Sequence, residues 1–274
     1  MNRDDILIEA DELLKKLDNK NIRIFDASIS DDVYQQGHIP GAVYFDHERF
    51  SDPDSPYGFT ILPIDRLVEQ IGNAGISNDS EAVIYACGLL PYAARAWWVL
   101  RYAGHNNVRL LNGGISAWKS AGGTIEQEPS SYEPTIFKGN PRSEMFASKE
   151  DVMAAIQDDD VSVVDVLPPV SYEGAHITGS SNLSCMDLMQ GDFTQGMDYL
   201  LPNDQLALRL QGTSQYKRII TYCGGGIAAA VNAMAHLMTG HDNVAVYDGS
   251  LNEWIAEGLP MTGTGKWAIW ETKS

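Results

Sequence analysis

The chain has 274 residues, 44% of them hydrophobic, with 25 glycines and 12 prolines, which excludes disordered, collagenous and low-complexity classes and suits one large or two modest cores. Nineteen lysines and arginines face 37 aspartates and glutamates, a formal charge of -18, which argues against nucleic acid or an anionic membrane as partner. Three cysteines are too few for a disulfide scaffold, the N-terminus has no basic start leading into an apolar stretch, and no run reaches membrane-spanning length, so a reducing, cytoplasmic compartment is expected.

In chain order, the first half reads as alternating short apolar strands and helices. IRIF (22–25) is a strand ending at Asp26, 64–71 a helix, AVIY (82–85) a second strand, 93–102 a helix, 108–111 a third strand and 114–120 the start of a helix. After a polar stretch with three prolines, TIEQEPSSYEPTIFKGNPRSEM (124–145), the alternation resumes. Strands are expected at 161–164, 218–222 and 244–247, and helices at 202–210, 227–238 and 251–257. Short apolar strands separated by helices predict an α/β fold, with a mostly parallel sheet covered by helices on both faces.

The second half repeats the first. GHNNVRLLNGGISAW (104–118) lies over GHDNVAVYDGSLNEW (240–254) at an offset of 136, and Cys87 lies over Cys223 at the same offset. GHIPGA around His38 lies over AHITGS around His176 at an offset of 138, and Asp26 over Asp165 at 139. A period of this length is a domain, not a solenoid unit, so two tandem domains are expected, 1–135 and 136–274.

Chemistry in such sheets gathers where strands run into helices. RIITYCGGGIAAAVNAMAHL has this form: a strand, then Cys223, three glycines and an alanine-rich helix. Gly224, Gly225 and Gly226 leave the loop amides unobstructed, and the helix N-terminus favours a thiolate or oxyanion, which makes Cys223 a candidate nucleophile. The loop lacks the GxxxxGK[ST] phosphate pattern, the GxGxxG dinucleotide pattern and the CxxxxxR of a cysteine phosphatase, whose arginine position is Ala229. The matching loop after Cys87 reads Gly88-Leu89-Leu90-Pro91-Tyr92, whose bulk and proline spoil an anion cradle, so the first domain is expected to be inactive and Cys87 structural. Cys185, in SSNLSCMDLM, shows no partner. The six histidines show no HExxH and the cysteines no CxxC, and His38, His105, His176 and His241 are expected to bond loop backbone, so neither a metal nor a cofactor is expected.

These motifs together, GHIPGA after a strand ending in aspartate, a cysteine loop between strand and helix, and the GHxNV segment near each domain end, resemble the tandem-domain rhodanese sulfurtransferases from Asp26 to Trp254. The resemblance implies two rhodanese-like domains, the second carrying the catalytic Cys223 in a six-residue loop, Cys223-Gly224-Gly225-Gly226-Ile227-Ala228. That loop is closer to the CGSGVT of 3-mercaptopyruvate sulfurtransferases than to the CRKGVT of thiosulfate sulfurtransferases. It departs from the former at Gly225, where they have a relay serine. The family's relay histidine falls on Phe59 or Thr60, with His47 out of register, and Glu48 takes the acidic place. The arginines that hold the donor carboxylate are missing between Asp165 and His176, which leaves Arg95 or Arg101 as replacements, although Trp97 and Trp98 beside Arg95 are expected to pack between domains.

The implied function is transfer of a sulfane sulfur from a small donor, thiosulfate or 3-mercaptopyruvate, to cyanide, a thiol or a protein acceptor through a Cys223 persulfide. Backbone amides from Gly224 to Ala228 would hold the charge. Two alternatives stand beside it: a carrier that takes sulfur from a protein donor, and a non-catalytic binding module.

Overall fold

The computed structural model describes residues 1–191 and 199–264. In the first half β1 (Leu7–Ile8), β2 (Ile22–Asp26), β3 (Val43–Tyr44), β4 (Glu81–Tyr85) and β5 (Val108–Leu111) form one sheet in the order β1-β5-β4-β2-β3. Every pairing in it is parallel. The accompanying helices are α1 (Arg3–Ile6), α2 (Ala10–Leu14), α3 (Asp31–Gln35), α4 (Ile64–Asn73), α5 (Leu90–Tyr102) and α6 (Gly114–Ser120).

The second half repeats this plan. It contributes β6 (Phe146–Ala147), β7 (Val161–Asp165), β8 (Ala175–Ile177), β9 (Ser181–Asn182), β10 (Met189–Gln190), β11 (Tyr199–Leu200), β12 (Arg218–Tyr222), β13 (Val244–Tyr247) and β14 (Met261–Gly263). Its parallel sheet has the order β6-β13-β12-β7-β9, while β10 with β11 and β8 with β14 form antiparallel pairs outside it. Its helices are α7 (Lys149–Ala155), α8 (Pro169–Gly174), α9 (Asn203–Arg209), α10 (Ala229–Met238) and α11 (Ser250–Ala256). The central strands are apolar because both faces are covered: all of β4 and β13 is buried, and all of β12 except Arg218. The parallel α/β architecture expected from the alternation is the one found.

Strand and helix positions agree with the sequence to within a few residues. The differences sit at the ends: α5 starts at Leu90 rather than at 93, because Pro91 supplies a preset φ in the first turn, and α10 starts at Ala229 rather than at 227 because the glycine loop runs on to Ala228. Not expected from the sequence are the strands β1, β3, β6, β8, β9, β10, β11 and β14, two or three residues each that carry no readable period, and the helices α1, α2, α3, α7 and α8, four to seven residues each.

α5 and α10 pack against each other and join the halves. Both are rich in alanine where they are buried (Ala93, Ala94 and Ala96; Ala229, Ala230, Ala233 and Ala235), so the helices approach closely. One apolar core runs through this contact, from Ile6 and Trp98 in the first half to Val164 and Trp254 in the second. The indole of Trp98 donates to the carbonyl of Met145 (3.2 Å), and that of Trp97 to Val108 (3.1 Å) within the first sheet. Residues 124–142 hold no helix or strand and lie along the first half. Tyr132 Oη accepts from the Ile24 amide and donates to the Gly41 carbonyl, and the amides of Asn140 and Arg142 donate to the carbonyls of Ala103 and Tyr102.

The repeat extends to side chains. Asp26 and Asp165, each fully buried at a strand end, accept from the amides of Ser28 (2.9 Å) and Leu167 (2.8 Å) and so shape the loops that follow. Burial raises both carboxyls, Asp165 to about 6. His38 Nε2 and His241 Nε2 bond the loop carbonyls of Glu128 and Tyr216, whereas the Nδ1 atoms of His38 and His176 meet the carbonyls of Tyr34 in α3 and Tyr172 in α8, and His105 is buried against Phe137. No described helix is long and apolar enough to cross a membrane, and no group of three or more metal-ligating side chains gathers among the described residues.

Candidate active site

β12 lies between β7 and β13 and delivers Cys223 to the carboxyl edge of its sheet. The loop that follows is held from behind by Ser250. Its Oγ accepts from the amides of Cys223 and Gly226, both at 3.1 Å, and donates to the Tyr247 carbonyl at 2.8 Å. Ser250 has φ +51, in the left-handed region that non-glycine residues seldom enter, and it makes these three bonds from there. The first turn of α11 holds the loop's other side, with the Leu251 amide donating to the Cys223 carbonyl (3.1 Å) and the Asn252 amide to that of Gly224 (2.9 Å).

These bonds sort the loop into a back and a front. The amides of Gly224, Gly225, Ile227 and Ala228 have no acceptor among the described residues, whereas that of Gly226 is spent on Ser250. Gly226 also has φ +81, and a Cβ there would sit 2.6 Å from the Asp248 carbonyl oxygen. The sequence reading of Gly226 as a substrate-binding residue is therefore corrected: it faces the scaffold and shapes the turn. Four open amides and the N-terminus of α10 remain to favour negative charge at the front of the loop.

In front of the loop is a cavity of about 170 Å³. Cys223, Gly224, Gly225, Ile227 and Ala228 line it, with Val166, Leu167 and Pro168 from the loop after β7, Cys185 and Met186 from the 3-10 turn at Cys185–Leu188, and Asn252. Its opposite wall comes from the first half: Phe59, Leu89, Pro91 and Tyr92. Residues that follow the first half's own cysteine thus form part of the wall in front of the second half's cysteine. Cys87 does not line the cavity; it packs, half-buried, on a satellite core of the first half. Cys223 itself is 3% exposed.

Arg95 is also placed differently from the expectation of a substrate contact. It is 2% exposed and lies behind the loop, where its guanidinium pairs with Asp248 Oδ1, donates to the carbonyls of Gly226 (3.3 Å) and Phe59 (2.6 Å), and stacks over Trp98 at 4.8 Å. Asp248 Oδ2 in turn accepts from the Ile61 amide (2.6 Å). This buried cluster ties the 59–61 segment of the first half to the cysteine loop of the second. Arg101, the other arginine considered, bonds the carbonyls of His105 and Asn106 and does not line the cavity.

Glu48 is exposed on the 3-10 turn at His47–Phe50 and does not reach the cavity wall, which corrects its expected place beside the substrate. His47 is buried against the ring of Tyr92, with Nε2 near the Ala27 carbonyl (3.3 Å), and burial lowers it to about 4, so it is neutral at physiological pH. Of Phe59 and Thr60, the two positions on which the resemblance puts the family's relay histidine, Phe59 lines the cavity. Cys185 shows no partner in the sequence, yet it shares the cavity with Cys223, and burial pushes its thiol up to about 12. The repeat holds a signal for it: at the offset of 138 that aligns His38 with His176, Cys185 overlies His47, and both follow the N-cap of a 3-10 turn.

Residues 9–121 and 148–257 each match the rhodanese-like domain. Thiosulfate sulfurtransferase of Mus musculus is 32% identical over 243 residues, covering 84% of this chain and 81% of that protein. The 3-mercaptopyruvate sulfurtransferase of Escherichia coli K12 is 29% identical over 275 residues, covering 93% and 96%. The crystal structure of SseA from Escherichia coli, described as a 3-mercaptopyruvate sulfotransferase with the rhodanese fold, superposes with a TM-score of 0.79 at 27% identity, over 91% of this chain and 99% of that one.

Proposed function

This chain belongs to the rhodanese family and is a sulfurtransferase, and from that premise we propose that Cys223 is its sulfur carrier. The Cys223 thiolate attacks the outer sulfur of a small donor. A sulfur–sulfur bond forms, the bond between that sulfur and the rest of the donor breaks, and its electron pair leaves with the remainder; with thiosulfate the leaving group is sulfite. The terminal sulfur of the resulting persulfide then passes to cyanide or a thiol, which returns Cys223 as thiolate. The observation that carries this reading is the Cys223 side chain in a cavity whose floor is four loop amides with no acceptor among the described residues, while the cavity's other thiol, Cys185, is kept protonated by burial. Those amides would stabilise the charge on sulfur throughout the cycle, so the step needs no base from Glu48 or His47.

Glu48 therefore has no part in the proposed cycle, and Arg95 acts through the loop rather than on the donor. The enclosure of Cys223 by Phe59, Leu89, Pro91 and Tyr92 favours a small-molecule donor over a protein thiol delivered by a partner. The test is steady-state transfer to cyanide from thiosulfate and from 3-mercaptopyruvate, with Cys223→Ser as blank and mass spectrometry of the donor-treated protein. The expected results are a +32 Da adduct on Cys223 and turnover that vanishes in the serine variant. Retained turnover in that variant would overturn the assignment. An adduct formed only with a protein donor would favour the carrier reading.

A further inference from the structure

The cavity differs in character from what either anionic donor requires. Its walls are mostly apolar, with Phe59, Leu89, Tyr92, Val166, Leu167 and Met186 among them and the uncharged amide of Asn252 beside the loop, and no lysine, arginine, histidine, aspartate or glutamate is among the described residues that line it. The nearby cation, Arg95, is sealed behind the loop and neutralised by Asp248. A thiosulfate dianion or a mercaptopyruvate carboxylate would lose its hydration here without meeting a guanidinium or ammonium. The open amides lie at the loop and serve the sulfur end of a donor, not a second charge at its far end.

Resting on the sulfurtransferase reading, we propose that the preferred donor is an organic hydropersulfide, R–S–SH, whose R group is uncharged and apolar. The volume limits R: a dry apolar cavity of about 150 Å³ takes up benzene, so a cavity of about 170 Å³ holds a group of ring size. The tail lies against Phe59, Tyr92, Leu167 and Met186, with the terminal sulfur toward Cys223. In the transfer step the Cys223 thiolate attacks the terminal sulfur, the R–S to SH bond breaks, and the products are Cys223–S–SH and R–S⁻. One negative charge is present before and after, and no oxidant, reductant or external proton is consumed.

The experiment compares kcat/KM for benzyl hydropersulfide, thiosulfate and 3-mercaptopyruvate with cyanide as acceptor. Cys223→Ser measures the spontaneous reaction, and mass spectrometry follows the adduct on Cys223. The expected result is a preference of at least about tenfold for the benzyl donor, the discrimination a hydrophobic pocket of this kind supplies. Met186→Arg, at a half-buried position on the wall, should reduce that preference at least about tenfold by raising the two anionic donors. Phe59→Ala should lower only the benzyl value, and thermal melting checks that both variants fold. Equal or higher kcat/KM for thiosulfate or 3-mercaptopyruvate in the wild type overturns the donor class and leaves the sulfurtransferase reading standing. Absence of any Cys223-dependent adduct with all three donors overturns both.

Discussion

Replacing Arg95 by methionine tests the claim that the two halves are bolted together behind the cysteine loop. In Arg95→Met the carboxylate of Asp248 stays buried and loses its countercharge, and the carbonyls of Gly226 and Phe59 lose their donor. Removing one partner of a buried ion pair costs about 3–5 kcal/mol, because the remaining charge is left desolvated. For a chain of this size each kcal/mol lowers Tm by about 2–4 °C, so the melt should fall by roughly 6–20 °C. The double variant Arg95→Met/Asp248→Asn removes both charges while the new side-chain amide oxygen still accepts from the Ile61 amide, and it should recover at least about 2 kcal/mol of the summed single losses. Calorimetry and urea titration of the four proteins give the cycle, and the alkylation rate of Cys223 reports whether the loop has loosened. A single variant melting within about 3 °C of wild type, or strict additivity in the double, would refute the reasoning.

Ser250→Ala deprives three backbone groups of their partner and should cost about 2–4 kcal/mol by urea titration, with lower sulfur-transfer turnover; Ser250→Gly relieves the φ but loses the same hydroxyl and should recover at most about 1 kcal/mol. Gly226→Ala places a Cβ against the Asp248 backbone and should cost at least about 2 kcal/mol, whereas at Gly225 the added atom meets only the end of the Asn252 side chain and Gly225→Ala should cost less than about 1 kcal/mol. Asp165, raised to about 6 by burial, binds its proton more tightly folded than unfolded. Its contribution is therefore full below the unfolded pKa near 3.8 and is lost as pH rises through about 6. Asp165→Asn, which still accepts from the Leu167 amide, should gain on wild type by up to about 3 kcal/mol between pH 4 and pH 7 in urea midpoints, and a constant difference would contradict the assignment.

The parts of this site that a single segment encodes are legible in the sequence. Strand, cysteine, glycines and alanine-rich helix follow one another from Arg218 to Met238, and the periodicity of each piece is long enough to read. The role of Gly226 is not, because all three glycines look alike until the backbone bonds to Ser250 decide which amides face forward. The partnership of Arg95 with Asp248 spans 153 residues and leaves no trace in local pattern. Register alone suggests Glu48, and the turn that carries it leaves its side chain in solvent. The apolar wall is hidden for the same reason as the ion pair: Leu89, Pro91 and Tyr92 read as the debris of a degenerate loop, and only the docking of α5 on α10 turns them into the face of a cavity.

That shared cavity also sets an order of events during synthesis. The half that carries the wall leaves the ribosome first and can fold while the rest is still being made. The thiol arrives after the first half's wall residues, and they close over it when α10 docks on α5. A nascent chain arranged the other way round would hold a reactive sulfur open to oxidants and metals until its shield had been translated; here that interval is reduced to the folding time of the second sheet.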